Sequence, residues 1–207
     1  MKQFLKYFYF SIAGFLGFFI LLAGLKYFKA DFGNGFLMDK EFIFHHYKYF
    51  LYSHVLAAPL ALFTGILQFS LKPGSFHKIC GRIYVASILL IAAPSSIYMS
   101  FFAIGSYIGT IIFLSLALFW IHFTYQGFLR AKRKDFAKHR IFMTRSFILT
   151  NSAIVIRLFL FINKKLSLGD PINGYLLISL LSWTIPLMIY EIILFQKRKK
   201  LSSKSLK

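Results

Sequence analysis

Four histidines of this chain lie in or beside long apolar runs: His54, His77, His122 and His139. Two of them open parallel stretches, "SFHKICGRIY" from Ser75 to Tyr84 and "KHRIFMTRSF" from Lys138 to Phe147. Each stretch sets an imidazole beside Lys and Arg at the foot of an apolar run. An imidazole nitrogen can ligate haem iron or hydrogen-bond a quinone head. A guanidinium matches a carboxylate or phosphate bidentately, so Arg82, Arg140 and Arg145 suit haem propionates. His77 and His139 are therefore candidate ligands of the iron of one b-type haem, with His122 as a competing ligand. The same groups suit a quinone head or a lipid phosphate. The plain alternative is that both histidines cap helices and bind interfacial water. Zinc would need three or four clustered ligands, and Cys80, His77, His122 and His139 do not follow a zinc spacing. No phosphate-binding loop, dinucleotide fingerprint, nucleophile elbow or H-E-x-x-H is present.

These groups must be positioned by membrane helices. Of 207 residues, 58% are hydrophobic and 15% are charged, against about 25% charged in soluble domains. Six apolar runs, roughly 8–28, 49–71, 83–104, 107–129, 141–163 and 174–195, can each cross a hydrocarbon core of about 30 Å as a helix. Backbone groups in lipid must bond within their own segment, so the expected fold class is all-α, an integral membrane bundle of six transmembrane helices. Residues 1–207 read as a single transmembrane domain with a core of spans two to five (49–163) and a basic, irregular tail (196–207). The first run resembles a signal peptide at its basic end, but its apolar stretch is too long and no A-x-A site follows. Spans three and four are joined by a tight Gly-Ser-Tyr turn.

Charge placement gives orientation. With the N-terminus inside, the inner segments hold 18 Lys and Arg and the outer segments 6. That excess predicts both termini in the cytoplasm. Asp31, Asp39, Glu41 and Asp170 fall on the outer side. The net charge of +19 is thus a topology signal, and nucleic acid is rejected as a partner; the partner is the lipid bilayer. The single cysteine, Cys80, has no partner for an internal disulfide.

Polar residues inside the spans fall on stripes. His54, Ala58, Ala61, Gly65 and Gln68 share one face of span two. His139, Met143, Ser146, Thr150, Ala153 and Arg157 share one face of span five and should look into the bundle. Arg157 suits outward snorkelling, structural pairing or a ligand. Span four carries Trp120, His122 and Gln126, where a buried, hydrogen-bonded His122 is the plain reading. Glu191, the one acid inside a span, is expected to pair with a basic residue of the tail. His54 and His122 differ in depth by about 15 Å and cannot share an iron. Gln68 before His77 and Gln126 before His139 make a weak internal echo.

His54, "GILQF" (65–69), "HKICGRIY" (77–84), Trp120, "HRIFMTRSF" (139–147) and Arg157 together resemble the bacterial predicted membrane proteins grouped as domain of unknown function family 2306. The resemblance covers roughly residues 50–160. It implies a multi-span bundle in the cell membrane, with His54, Gln68, His77, Gly81, Arg82, Tyr84, His139, Arg140, Arg145 and Arg157 in the family's pattern positions. It brings no activity. Lys78 stands where the pattern has Arg, and His122 is outside the pattern. The architecture also loosely resembles cytochrome b561 and ferric-reductase bundles, but the depth mismatch argues against their two-haem wiring. The leading functional expectation is a redox-linked membrane protein holding one haem or a quinone near the cytoplasmic face. The competing expectations are a non-catalytic subunit or assembly factor whose stripes serve packing, and, last, a transporter.

Overall fold

The computed structural model describes residues 2–29, 32, 37, 41–70, 72–166 and 170–205; Asp31, Asp39 and Lys207 lie outside them. The described residues form helices Lys2–Leu25 (α1), Glu41–Ser70 (α2), Ser75–Ala86 (α3), Ala93–Ser100 (α4), Ser106–Lys132 (α5), Phe136–Leu166 (α6) and Pro171–Ser205 (α7). A 3-10 turn, Lys26–Lys29, follows α1, and a π-helical turn, Ser87–Ala92, joins α3 to α4. No strand occurs among the described residues. Six helical segments, counting Ser75–Ser100 as one, are long and apolar enough to cross a membrane. The outer surface agrees. Phe15, Leu90, Phe161 and Phe195 each leave 61–74% of their area uncovered, in keeping with lipid around the bundle.

Local chemistry explains the breaks. Pro73 and Gly74 end α2, and the chain turns helical again at once, with the Lys78 N–H donated to Gly74 O at 3.1 Å. The segment 72–82, read from its charges as a loop, is therefore helical from Ser75. His77, Cys80, Gly81 and Arg82 stand on the first turns of α3.

Asp135 caps α6, accepting the Lys138 N–H on Oδ1 at 3.1 Å. That bond holds its carboxyl below the ordinary carboxylate value, with Lys138 and Arg130 adding to the effect. Asp170 and Pro171 open α7 in the same manner, the Asn173 N–H reaching Asp170 Oδ2 at 2.7 Å. The tight turn between spans three and four is present, with Gly105 at φ +89°, where a side chain would be strained. The tail expected to be irregular is helical to Ser205. Nothing after Pro186 breaks it, and cations near a helix C-terminus complement the dipole.

Within the third span, Pro94 has no N–H to donate. The turn before it widens, and the Ala93 N–H reaches back five residues to Ile88 O. Side chains take up the displaced carbonyls. Ser95 Oγ donates to Ile91 O at 2.7 Å, and Ala92 O accepts from His54 Nδ1 at 2.9 Å.

Packing is most extensive between α5 and α6, between α6 and α7, where α2 meets α1 and α3, and between α4 and α5. One core joins Ala61, Leu62, Tyr84, Ile88, Trp120, Met143 and Phe147 at mid-bundle. A second, aromatic core joins Phe44, Tyr47 and Leu51 of α2 to Tyr98 and Phe102. Glycine permits the closest crossings. A Cβ on Gly65 would stand 2.7 Å from the Phe147 ring and 2.9 Å from Tyr84, and one on Gly127 would stand 2.5 Å from Met143 Sδ.

Candidate functional site

The feet of α3 and α6 bring His77 and His139 within electrostatic range of each other. Each is held from a neighbouring helix. His139 Nδ1 bonds Gly127 O of α5 at 2.8 Å. A carbonyl only accepts, so Nδ1 carries the proton and Nε2 of the neutral ring keeps its lone pair. Gly127 allows this because α6 crosses α5 there at close range. On the other side, Gln68 of α2 donates from Nε2 to His77 O. Gly81, one turn on, leaves room for that amide, whose Oε1 would stand 3.2 Å from a Cβ. The His77 ring also nears the Gln68 main chain. Its Nδ1 is buried and has no partner at bonding geometry among the described residues.

The other expected members do not join this pair. His122 is exposed on α5 beside the Phe123 and Phe142 rings, neither buried nor grouped with His77 and His139. Among the described residues no three His, Cys, Asp or Glu side chains gather where a metal ion could sit. Arg145 is engaged elsewhere. Its Nε donates to Glu191 Oε1 at 2.6 Å and its Nη2 to Oε2 at 2.7 Å. The guanidinium also faces the Phe123 and Phe142 rings at 5.5 and 5.2 Å. Glu191 thus pairs with α6 and not with the tail, because α7 lies along α6 and brings the two to one level. Arg140 is exposed on the first turns of α6, Arg82 is exposed on α3, and Gln126 is half-buried beside Gly127. The echo between the two hairpins does not extend to bonding: Gln68 holds the main chain of His77, whereas the ring of His139 holds Gly127.

Deeper in the bundle lies a buried hydroxyl network that the sequence showed only in pieces. Tyr84 Oη stands 2.8 Å from Ser146 Oγ and 2.9 Å from Thr150 Oγ1. Trp120 Nε1 donates to Thr150 Oγ1 at 3.0 Å, and Thr124 Oγ1 lies 2.7 Å from Ser146 Oγ. The α6 stripe does look inward here, as its spacing predicted: Met143, Ser146 and Thr150 are buried. Thr124, fully buried, was missed; its signal was its place one turn after Trp120. At the opposite end of the stripe Arg157 is exposed. It donates to Ala153 O of its own helix at 2.9 Å, within electrostatic range of His54, Tyr27 and Tyr175.

A family model described as a predicted membrane protein, DUF2306, matches residues 51–194. The chain belongs to that family. The DUF2306 region opens three residues before His54 and closes three after Glu191. It thus holds the histidine feet, the hydroxyl network and both partners of the ion pair. The resemblance over residues 50–160 stopped short of α7, and the pairing of Arg145 with Glu191 gives a physical reason for the DUF2306 unit to include that helix. No curated protein and no solved structure matches the chain.

Proposed function

We propose that this DUF2306 protein is a cell-membrane protein that binds a small polar-headed ligand at the His77–His139 pair, and that the ligand is of the quinone class. The observation that carries the reading is the buried Nδ1 of His77, which has no partner at bonding geometry among the described residues, within electrostatic range of a His139 ring whose tautomer is held by Gly127. His139 offers a lone pair at Nε2, and His77 Nδ1 donates or accepts according to its tautomer, so the two suit a ring bearing a hydroxyl and a carbonyl. A buried polar atom without a partner costs about 1–3 kcal/mol, so a ligand that bonds it gains affinity there. With both termini inside, as the Lys and Arg distribution favours, the site opens at the cytoplasmic face.

Haem ranks behind quinone for these residues. Of the three cations expected for its propionates, Arg145 is held by Glu191, whereas Arg82 and Arg140 are exposed. A quinone head approaches edge-on from the lipid and needs no slot for a macrocycle. A second reading, a packing subunit without a ligand, draws support from the hydroxyl network and from the ion pair, each of which finds its partners inside the bundle. Transport ranks last, since Glu191, the acid it would use for coupling, is neutralised by Arg145.

The test is binding of a water-soluble ubiquinone analogue to detergent-purified protein, with His77→Ala and His139→Ala beside it and a reduced-minus-oxidised spectrum of each. Saturable binding lost in both variants is expected. Binding that survives both, or its absence in folded wild type, overturns the reading. A Soret band lost in both would replace it with haem.

A further inference from the structure

A groove of about 240 Å³ opens on the bundle surface, lined by Arg82, Val85, Ala86, Leu89, Leu90 and Phe128. Four of these recur three, four, seven and eight residues after Arg82, which puts them with it on one side of the helix. They run about 12 Å from the foot toward the membrane middle. The body of the groove is therefore apolar, and its one charged lining residue stands at the foot. Lys132 Nζ lies 5.6 Å from the ring centroid of Phe128, which places a second cation beside one residue of the lining.

The basic residues nearby are neutralised differently. Arg130 and Lys138 share Asp135, and Arg145 has Glu191. Arg82 and Lys132 have no carboxylate partner among the described residues. We propose that this groove between the third span and α5 is a site for one anionic phospholipid, its phosphate between Arg82 and Lys132 and an acyl chain along Val85, Ala86, Leu89 and Leu90. Two uncompensated cations at the end of an apolar trough match a molecule with an anionic head and a hydrocarbon tail. A soluble anion would leave the trough unused, and an uncharged tail would leave the cations unused. The inference stands apart from the quinone reading, since the lining contains neither His77 nor His139.

Native mass spectrometry of the full chain, delipidated and then given equal phosphatidylglycerol and phosphatidylcholine, tests it. One phosphatidylglycerol should be retained preferentially, by about fivefold for each cation engaged. Arg82→Gln and Lys132→Gln should each lower that preference, and Arg82→Lys should largely keep it. Ala86→Trp, which fills the trough, should abolish retention while the thermal unfolding midpoint stays near wild type. Equal retention of the two lipids overturns the proposal, as does a preference unchanged in both Gln variants. Displacement of the lipid by millimolar inorganic phosphate would assign the cations to a soluble anion and overturn it too.

Discussion

Arg145 and Glu191 show how much a single pair decides in this protein. Two charges inside a membrane span are tolerable only together, and the bidentate geometry satisfies both carboxylate oxygens. Arg145→Met should therefore destabilise the bundle by about 3 kcal/mol, because it strands a carboxylate. Arg145→Met with Glu191→Leu should recover most of that loss, read from unfolding midpoints in detergent. If water reaches Glu191 freely, the cycle will give a coupling of only about 0.5 kcal/mol. The pair was not legible in the sequence. Its partners stand 46 residues apart, and spacing along one helix says nothing about which helix lies alongside. The basic tail was nearer in sequence to Glu191 and so looked like its partner.

Among elements, the α2 crossing depends on one small residue. Gly65 lets the Phe147 ring and Tyr84 reach the α2 backbone, where a Cβ would stand closer than atoms pack. Gly65→Ala should cost about 1–3 kcal/mol by overpacking. Adding Phe147→Leu should return part of it, since the ring is the nearest obstacle; no recovery would place the strain in the backbone. The helices themselves were legible, because lipid leaves a chain few other ways to satisfy its backbone and about 20 apolar residues announce a crossing. Where each helix begins was less so. Charged feet such as 75–82 read as loop by composition, yet a helix entering the headgroup region keeps its bonds through Ser75. The stripe from Met143 to Thr150 was legible because 3.6-residue periodicity survives burial. Thr124 was not, since a threonine in an apolar helix looks like any packing residue until its neighbours across the interface are known. That His77 and His139 stand on the first turns of two helices was legible from their place before apolar runs. The tie from His139 to Gly127 involves a backbone carbonyl, which no sequence pattern displays.

For the whole molecule, the distribution of Lys and Arg still makes a claim that packing alone does not test: both termini inside. Green fluorescent protein fused after Ser205 should fluoresce, and alkaline phosphatase in its place should be inactive. Alkaline phosphatase fused after Leu166 should be active. The reverse pattern would put the paired histidines at the outer face. The 35 residues of α7 span about 52 Å, well beyond a core of about 30 Å. Its basic end therefore projects as a helical stub, so a fusion there reports on a rigid segment.

The hydroxyl network at the bundle centre is one hydrogen short. Tyr84, Thr124, Ser146, Thr150 and Trp120 bring five hydrogens, one from each side chain, to six contacts, two of which go to the main chain of Trp120 and Ser146. At any instant one contact is unmade, and rotating a hydroxyl moves the vacancy without moving a helix. The junction of α3, α5 and α6 thus has several interchangeable wirings on one scaffold. Such a junction is fault-tolerant: a lost hydroxyl at one position is absorbed by re-routing among the rest, whereas an added methyl, for which there is no slack, is not.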